Sequence, residues 1–165
     1  MPKSPYLKPN RLADVIAAIQ FMALHIHSSQ PCDQWAHYIS GDAKRADHWR
    51  EVFSEHPEFF RKSPDFQDHY ALIWRRASPR LFHRKLDKLL TRPEYEKLPA
   101  DQRSDVSRVR VPDTEIKTLI DIAIELHAKA REQEVDSRWW IPIATSFVGA
   151  LIAVLLGQAL GGGSQ

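Results

Sequence analysis

The sequence predicts a mainly α-helical fold with a small β-hairpin, continued by a helical stem and one C-terminal transmembrane helix. Three observations predict it. Apolar residues recur with the 3.6-residue period of amphipathic helices over most of 11–55. Two runs rich in aromatic and β-branched residues, 58–62 and 70–75, flank a segment full of turn formers. Residues 139–160 carry no charge.

Asn10 is placed to cap a first helix over 11–25, with Leu12, Val15, Ile16, Ile19 and Met22 on one face. Residues 28–30 make a break. Pro31 suits the first position of a second helix, which reaches residue 40 with Trp35 and Ile39 on one face. Gly41 is a C-cap and Asp42 an N-cap, so a third helix follows at once. It turns Ala43, Ala46, Trp49, Val52 and Phe53 inward, and Pro57 ends it. The hairpin comes next, and its run 70–75 places Trp74 in the core beside Trp35 and Trp49. Ser78 and Pro79 open a fourth helix over 79–90, carrying Leu81, Phe82, Leu86, Leu89 and Leu90.

The domain thus spans 10–90. Residues 91–112, with Pro93, Pro99 and Pro112, read as a polar linker with room for one short helical turn. Asp113 caps a stem helix over 113–138. Its residues Ile116, Leu119, Ala123, Leu126 and Ala130 repeat at heptad-like spacing, to pair with a second copy or to pack back on the domain.

The segment 139–160 would cover about 33 Å as a helix, enough for a hydrocarbon core of about 30 Å. Trp139 and Trp140 suit the headgroup layer, and Lys129, Arg131 and Arg138 keep the preceding side cytoplasmic. Thr145, Gly149, Ala153 and Gly157 put a small residue at every fourth position, which lets two membrane helices approach. The N-terminus has no apolar run suited to a signal peptide, and only a five-residue tail, GGGSQ, follows the segment, as in tail-anchored proteins.

Composition bounds the function. Of 165 residues, 27% are charged and 43% hydrophobic, which permits a packed core. The net charge is +2. It is uneven: residues 42–92 hold twelve basic and eight acidic groups, residues 93–138 eight basic and eleven acidic. Neither stretch has the strong positive balance of a dedicated nucleic-acid binder. The lone Cys32 allows no internal disulfide and fits a reducing compartment.

Over 10–77 the order is helix, helix, tight turn at Ser40-Gly41-Asp42, helix, hairpin. It resembles the winged-helix variant of the helix-turn-helix fold, in a tail-anchored single-pass protein. The resemblance implies that helix 42–55 is a recognition helix and the hairpin tip a wing. Lys44 and Arg45 then stand where base contacts are made. Asp47, Glu51 and Glu55 would repel phosphates, Asp65 and Asp68 do the same at the wing, and Phe66 there suits an apolar contact.

No catalytic constellation is visible. There is no HExxH or CxxC pattern, no glycine-rich phosphate loop and no metal-ligand spacing, so no cofactor or metal is expected. His25 and His27 diverge if both lie on a helix. Cys32 and His37 lack a marked oxyanion site, and a helix start would lower the Cys32 pKa enough for modification. The expected function is a membrane-tethered adaptor that binds a cytoplasmic protein. Its candidate surface is Phe66 with a helical stripe of Arg80, Arg84 and Lys88, besides Lys44 and Arg45; an ordinary solvated face is the plainer reading of that stripe. A membrane-anchored DNA-binding regulator and an oligomeric membrane effector are the alternatives.

Overall fold

The computed structural model describes residues 4–136. Its first α-helix, α1 (Arg11–Leu24), buries Val15, Ile19 and Met22 of the expected face together with Ala18 and Ala23, while Leu12 and Ile16 are half-buried. Asn10 behaves differently. It is left-handed at φ 59°, its side chain makes no cap, and its carbonyl accepts from Asp14 N at 3.0 Å.

A two-residue strand, β1 (Gln30–Pro31), precedes α2 (Cys32–Ser40). Gly41 ends α2 at φ 74°, its N–H donating to His37 O at 2.8 Å. Glycine takes this left-handed conformation without a Cβ clash. The Asp42 side chain then accepts from Lys44 N at 2.9 Å, and a 3-10 turn (Ala43–Arg45) leads into α3 (Ala46–Glu55). Trp49, Val52 and Phe53 of α3 are buried.

The expected hairpin forms as β2 (Phe60–Lys62) and β3 (His69–Leu72), with Phe60 opposite Leu72. β1 lies along the other edge of β3, antiparallel, giving the order β1-β3-β2. The core sits between this sheet and the helices. Trp35 Nε1 donates to Tyr70 O at 2.9 Å, and Phe53 packs 5.1 Å from the ring centroids of both Phe60 and Tyr70. Aromatic pairs of this kind contribute about 0.5–1.5 kcal/mol beyond their area.

The run 70–75 does not stay extended. It turns at Leu72 into a short helix, α4 (Ile73–Ala77), which leaves Trp74 37% exposed and buries Arg75 instead. Trp74 is therefore no core residue.

Residues 79–90 form no helix. β4 (Phe82–His83) and β5 (Lys88–Leu89) make a hairpin, with Asp87 left-handed at φ 45° in its turn. A distant strand decides this. The linker region supplies β6 (Val106–Ser107), which pairs antiparallel with β4, giving the order β5-β4-β6. Arg84 N donates to Asp105 O at 2.9 Å and Leu90 N to Leu81 O at 2.7 Å. Leu86 and Leu89, spaced for a helix interior, are 65% and 57% exposed. Arg80, Arg84 and Lys88 accordingly share no stripe. The rest of 91–112 is also structured, with α5 (Arg92–Glu96) under a Thr91–Glu94 capping box, then α6 (Ala100–Arg103).

The last helix is α7 (Asp113–Asp136). The chain divides into two compact units, residues 1–127 and 128–165. Within the first unit, Ile116, Leu119 and Ala123 are buried, so this part of the heptad stripe is covered by its own chain. Tyr6 is also buried there, its hydroxyl donating to Glu58 Oε1 at 2.6 Å while its carbonyl lies 3.0 Å from His127 Nδ1.

Among the described residues no helix is long and apolar enough to cross a membrane. This overturns the resemblance to a tail-anchored winged-helix protein. α7 is interrupted by charged residues at almost every turn. Segment 139–160, with Thr145, Gly149, Ala153 and Gly157, lies outside the described residues. What stands is a mainly helical fold with two small antiparallel sheets.

Arg75 joins the parts. It is fully buried, and its Nη1 donates to Met22 O at 2.8 Å and His27 O at 3.0 Å, its Nη2 to Arg108 O at 3.3 Å. Met22 O belongs to the last turn of α1, where carbonyls lack intrahelical donors. Arg75→Met keeps the apolar stem but strips three carbonyls of a donor. Urea unfolding of the full-length chain is expected to show a loss of about 3 kcal/mol. Arg75→Lys, with one compact donor group, is expected to restore less than half of that loss. An unchanged unfolding midpoint in Arg75→Met would show that these hydrogen bonds contribute nothing.

Candidate functional site

Five arginines meet in one cleft of about 280 Å³: Arg61, Arg76, Arg80, Arg84 and Arg108. They come from separate places in the chain. Arg61 stands on β2, Arg76 on α4, Arg80 in the loop before β4, Arg84 in the β4–β5 turn and Arg108 just after β6. The cleft therefore lies where the two sheets approach each other. His27, Ser28 and Ser29 from the segment after α1 and Phe66 from the β2–β3 loop complete its wall. No acidic side chain lines it.

Arg84 and Arg108 are held mainly by neutral acceptors. Arg84 Nη1 donates to His27 Nδ1 at 2.7 Å, Nε to Asp105 O at 3.2 Å and Nη2 to Ser104 O at 2.6 Å. Its nearest carboxylate, Asp105, is 3.9 Å away and lies closer to Lys85, at 2.7 Å. Arg108 Nη1 donates to Arg76 O at 2.5 Å and Ser78 O at 2.8 Å. Burial, then the charges of Arg80 and Arg76, push the Arg108 pKa down from its ordinary value. Like charges face one another here without a carboxylate between them. Ser29 Oγ is buried without a hydrogen-bond partner.

The residues singled out from the sequence divide cleanly. Phe66, Arg80 and Arg84 come together at the cleft, and Phe66 is 61% exposed there. Lys88 does not line it: β5 carries it to Glu94, 2.8 Å away. Lys44 and Arg45 lie exposed in the 3-10 turn and do not line the cleft. The acidic residues of α3 are also spent locally. Glu51 and Glu55 pair with Lys8 and Arg11, and Asp47 pairs with Arg50. Asp68 in the β2–β3 loop is bound by Arg50 through two hydrogen bonds of 2.9 and 2.7 Å.

Arg61, Arg108 and Ser29 are absent from the sequence-based candidates. One signal pointed to Arg108: the alternation Arg108-Val109-Arg110-Val111 has the period of a strand with one apolar face. Arg110, on the same side, lies 4.7 Å over the ring of Phe82.

Cys32 is not a reactive thiol. It is buried, its Sγ donates to Ala46 O at 3.2 Å, and burial with the nearby Asp68 charge pushes its pKa up to about 12. Among the described residues, no group of three or more His, Cys, Asp or Glu side chains is placed to hold a metal ion. His25 lies past the end of α1, so its ring sits 5.5 Å from that of His27 rather than diverging.

No protein-family model matches the chain, and no curated protein or solved structure matches it either. The site is read from its own chemistry.

Both histidines work as acceptors: His25 Nδ1 takes the His27 N–H at 3.2 Å, and His27 Nδ1 takes Arg84. Burial lowers both pKa values from the ordinary 6.5, assisted at His27 by the charge of Arg84 and at His25 by that of Arg75. The unfolded chain therefore takes up these protons at higher pH than the native one. Stability is full above pH 6.5 and falls as pH drops through 6.5 toward the folded values. The depressed carboxylates Glu58, Asp68 and Asp105 act only below their ordinary range, 4.5 for Glu58 and 3.8 for the two aspartates. His27→Gln can still accept from Arg84 but does not titrate. Between pH 7.5 and pH 5.5, thermal melts are expected to show a smaller drop in Tm for His27→Gln than for the unaltered chain. Equal drops would mean that His27 is not linked to folding.

Proposed function

We propose that this chain is a non-catalytic protein-interaction module whose cleft binds an acidic segment of a partner protein. The observation that carries the reading is the set of five arginines without an acidic side chain in the lining, beside the exposed ring of Phe66. Guanidinium forks match carboxylates and phosphates in two-pronged hydrogen bonds. An exposed aromatic at the rim adds apolar contact, as aromatic and arginine anchors do in protein interfaces. The carbonyl bracing of Arg84 and Arg108 also lowers the entropy lost on binding.

Catalysis finds no support at the cleft. Its imidazole, His27, already accepts a hydrogen bond from Arg84, and the thiol of Cys32 is buried with a raised pKa. A positioned base with a nucleophile is what a reaction would require. Duplex DNA is a weaker fit, because the cations converge on one concavity instead of tracking a backbone.

The reading is tested by fluorescence anisotropy on the full-length chain, with a labelled peptide of consecutive glutamates as probe. Arg61→Glu with Arg76→Glu is expected to weaken binding at least roughly tenfold, about 1.4 kcal/mol. Phe66→Ala should weaken it less, and Lys44→Glu with Arg45→Glu should leave it unchanged. Unaltered circular dichroism secures the fold of each variant. If the glutamate peptide fails to bind while duplex DNA binds with a steep salt dependence, the reading is wrong.

A further inference from the structure

We propose that the group this cleft selects is a phosphate dianion, presented on a phosphorylated serine or threonine of the partner protein. The inference rests on the protein-binding reading and specifies its ligand.

The charge count favours phosphate over carboxylate. A glutamate side chain brings one negative charge and two oxygens. A phosphate monoester brings about −1.5 to −2 and three terminal oxygens. Five arginines line a cleft of about 280 Å³ with no acidic lining residue. One carboxylate would leave most of that repulsion uncompensated; a dianion with three acceptor oxygens reaches several forks at once.

The donors are also arranged for a compact acceptor. Arg108 uses only Nη1 on the carbonyls of Arg76 and Ser78, which leaves its Nε–H and its Nη2 group to point elsewhere. Burial and the charges of Arg80 and Arg76 depress its pKa, a sign that these cations feel one another directly. Ser29 lines the wall, and its Oγ, closed off from solvent, has no hydrogen-bond partner. Buried hydroxyls without a partner are uncommon, and a bound ion is one way in which such a group is satisfied. Phe66 at the rim then meets the residues flanking the phosphorylated one.

A polynucleotide would satisfy the same chemistry only if it could present one phosphate into a concavity while its neighbours met further cations. Around α3, Lys8 and Arg11 are committed to Glu51 and Glu55, and Arg50 to Asp47 and Asp68, which among the described residues leaves Lys44 and Arg45, in the turn before α3, as the cations without an ion pair there. A side-chain phosphate on a peptide reaches the cleft without that requirement.

The experiment uses the full-length chain and four probes: a labelled peptide with a central phosphoserine, the same peptide with serine, the same peptide with glutamate, and inorganic phosphate as competitor. The phosphoserine peptide should bind at least roughly tenfold more tightly than the glutamate form, and inorganic phosphate should displace it. Its affinity should also rise between pH 5 and pH 7, as the second phosphate ionisation near about 6 is passed. Arg61→Gln with Arg76→Gln, whose guanidinium groups have no bracing role, should erase the preference. The line width of the phosphoserine phosphorus resonance reports the same contact independently of the label. Equal binding of the phosphoserine and glutamate forms overturns this inference and leaves the protein-binding reading intact. Failure of both peptides overturns both, and so does displacement by a DNA oligonucleotide at lower concentration than by phosphopeptide.

Discussion

The buried guanidinium of Arg75 is the constraint on which the rest of the structure depends. A charge moved out of water is costly, and no carboxylate accompanies this one. Carbonyls of three chain segments accept from its two terminal nitrogens: the last turn of α1, the residue His27, and Arg108 after β6; its Nε is buried without a partner. Burial lowers its pKa to about 10, so it stays charged at neutral pH. Because the acceptors are distant in sequence, one side chain brings the first sheet, the end of α1 and the second sheet into register. The same hydrogen bonds fix the backbone at His27 and Arg108, both of which line the arginine cleft.

Charge is sorted across the fold in a way that the net value of +2 conceals. Carboxylates outside the cleft take their own cations: Glu51 and Glu55 take Lys8 and Arg11, Asp68 takes Arg50, Asp105 takes Lys85, and Glu94 takes Lys88. Among the cleft arginines, Arg80, Arg84 and Arg108 donate to carbonyls and one imidazole, and the one carboxylate near them, Asp105, lies 3.9 Å from Arg84 and closer to Lys85. Carbonyl dipoles orient a guanidinium without cancelling its charge, so the cleft keeps a positive field that a neutralised surface would lose. The depressed pKa of His27 belongs to the same arrangement, since a protonated imidazole would compete with Arg84 for space and add to the repulsion.

Elements whose signals are local were legible. The apolar period of α1, the Gly41-Asp42 junction between α2 and the turn leading into α3, and the aromatic-rich β2–β3 hairpin could all be placed from neighbouring residues. Phe66 is legible as an aromatic at the hairpin tip, and Arg80 and Arg84 as cations, though the helical stripe that singles out the two arginines does not form. The reading failed where pairing is long-range. The leucines of 81–90 fit a helix period, yet β6, lying more than a dozen residues further on, offers β4 a partner and makes the extended form the more satisfied one. Two-residue strands such as β1 and β6 have no periodicity to read.

By itself the amino-acid sequence determined that the fold is mainly helical with little sheet, where its first helices begin and end, and that no familiar metal or phosphate-loop motif is present. These follow from backbone propensity and side-chain spacing, which act over a few residues. Tertiary structure alone decided that residues 79–90 are strands, that Arg75 is internal while Trp74 is exposed, and that arginines from five parts of the chain share one cleft. Convergence of that kind depends on which distant backbones find hydrogen-bond partners, and no stretch of local sequence carries that information.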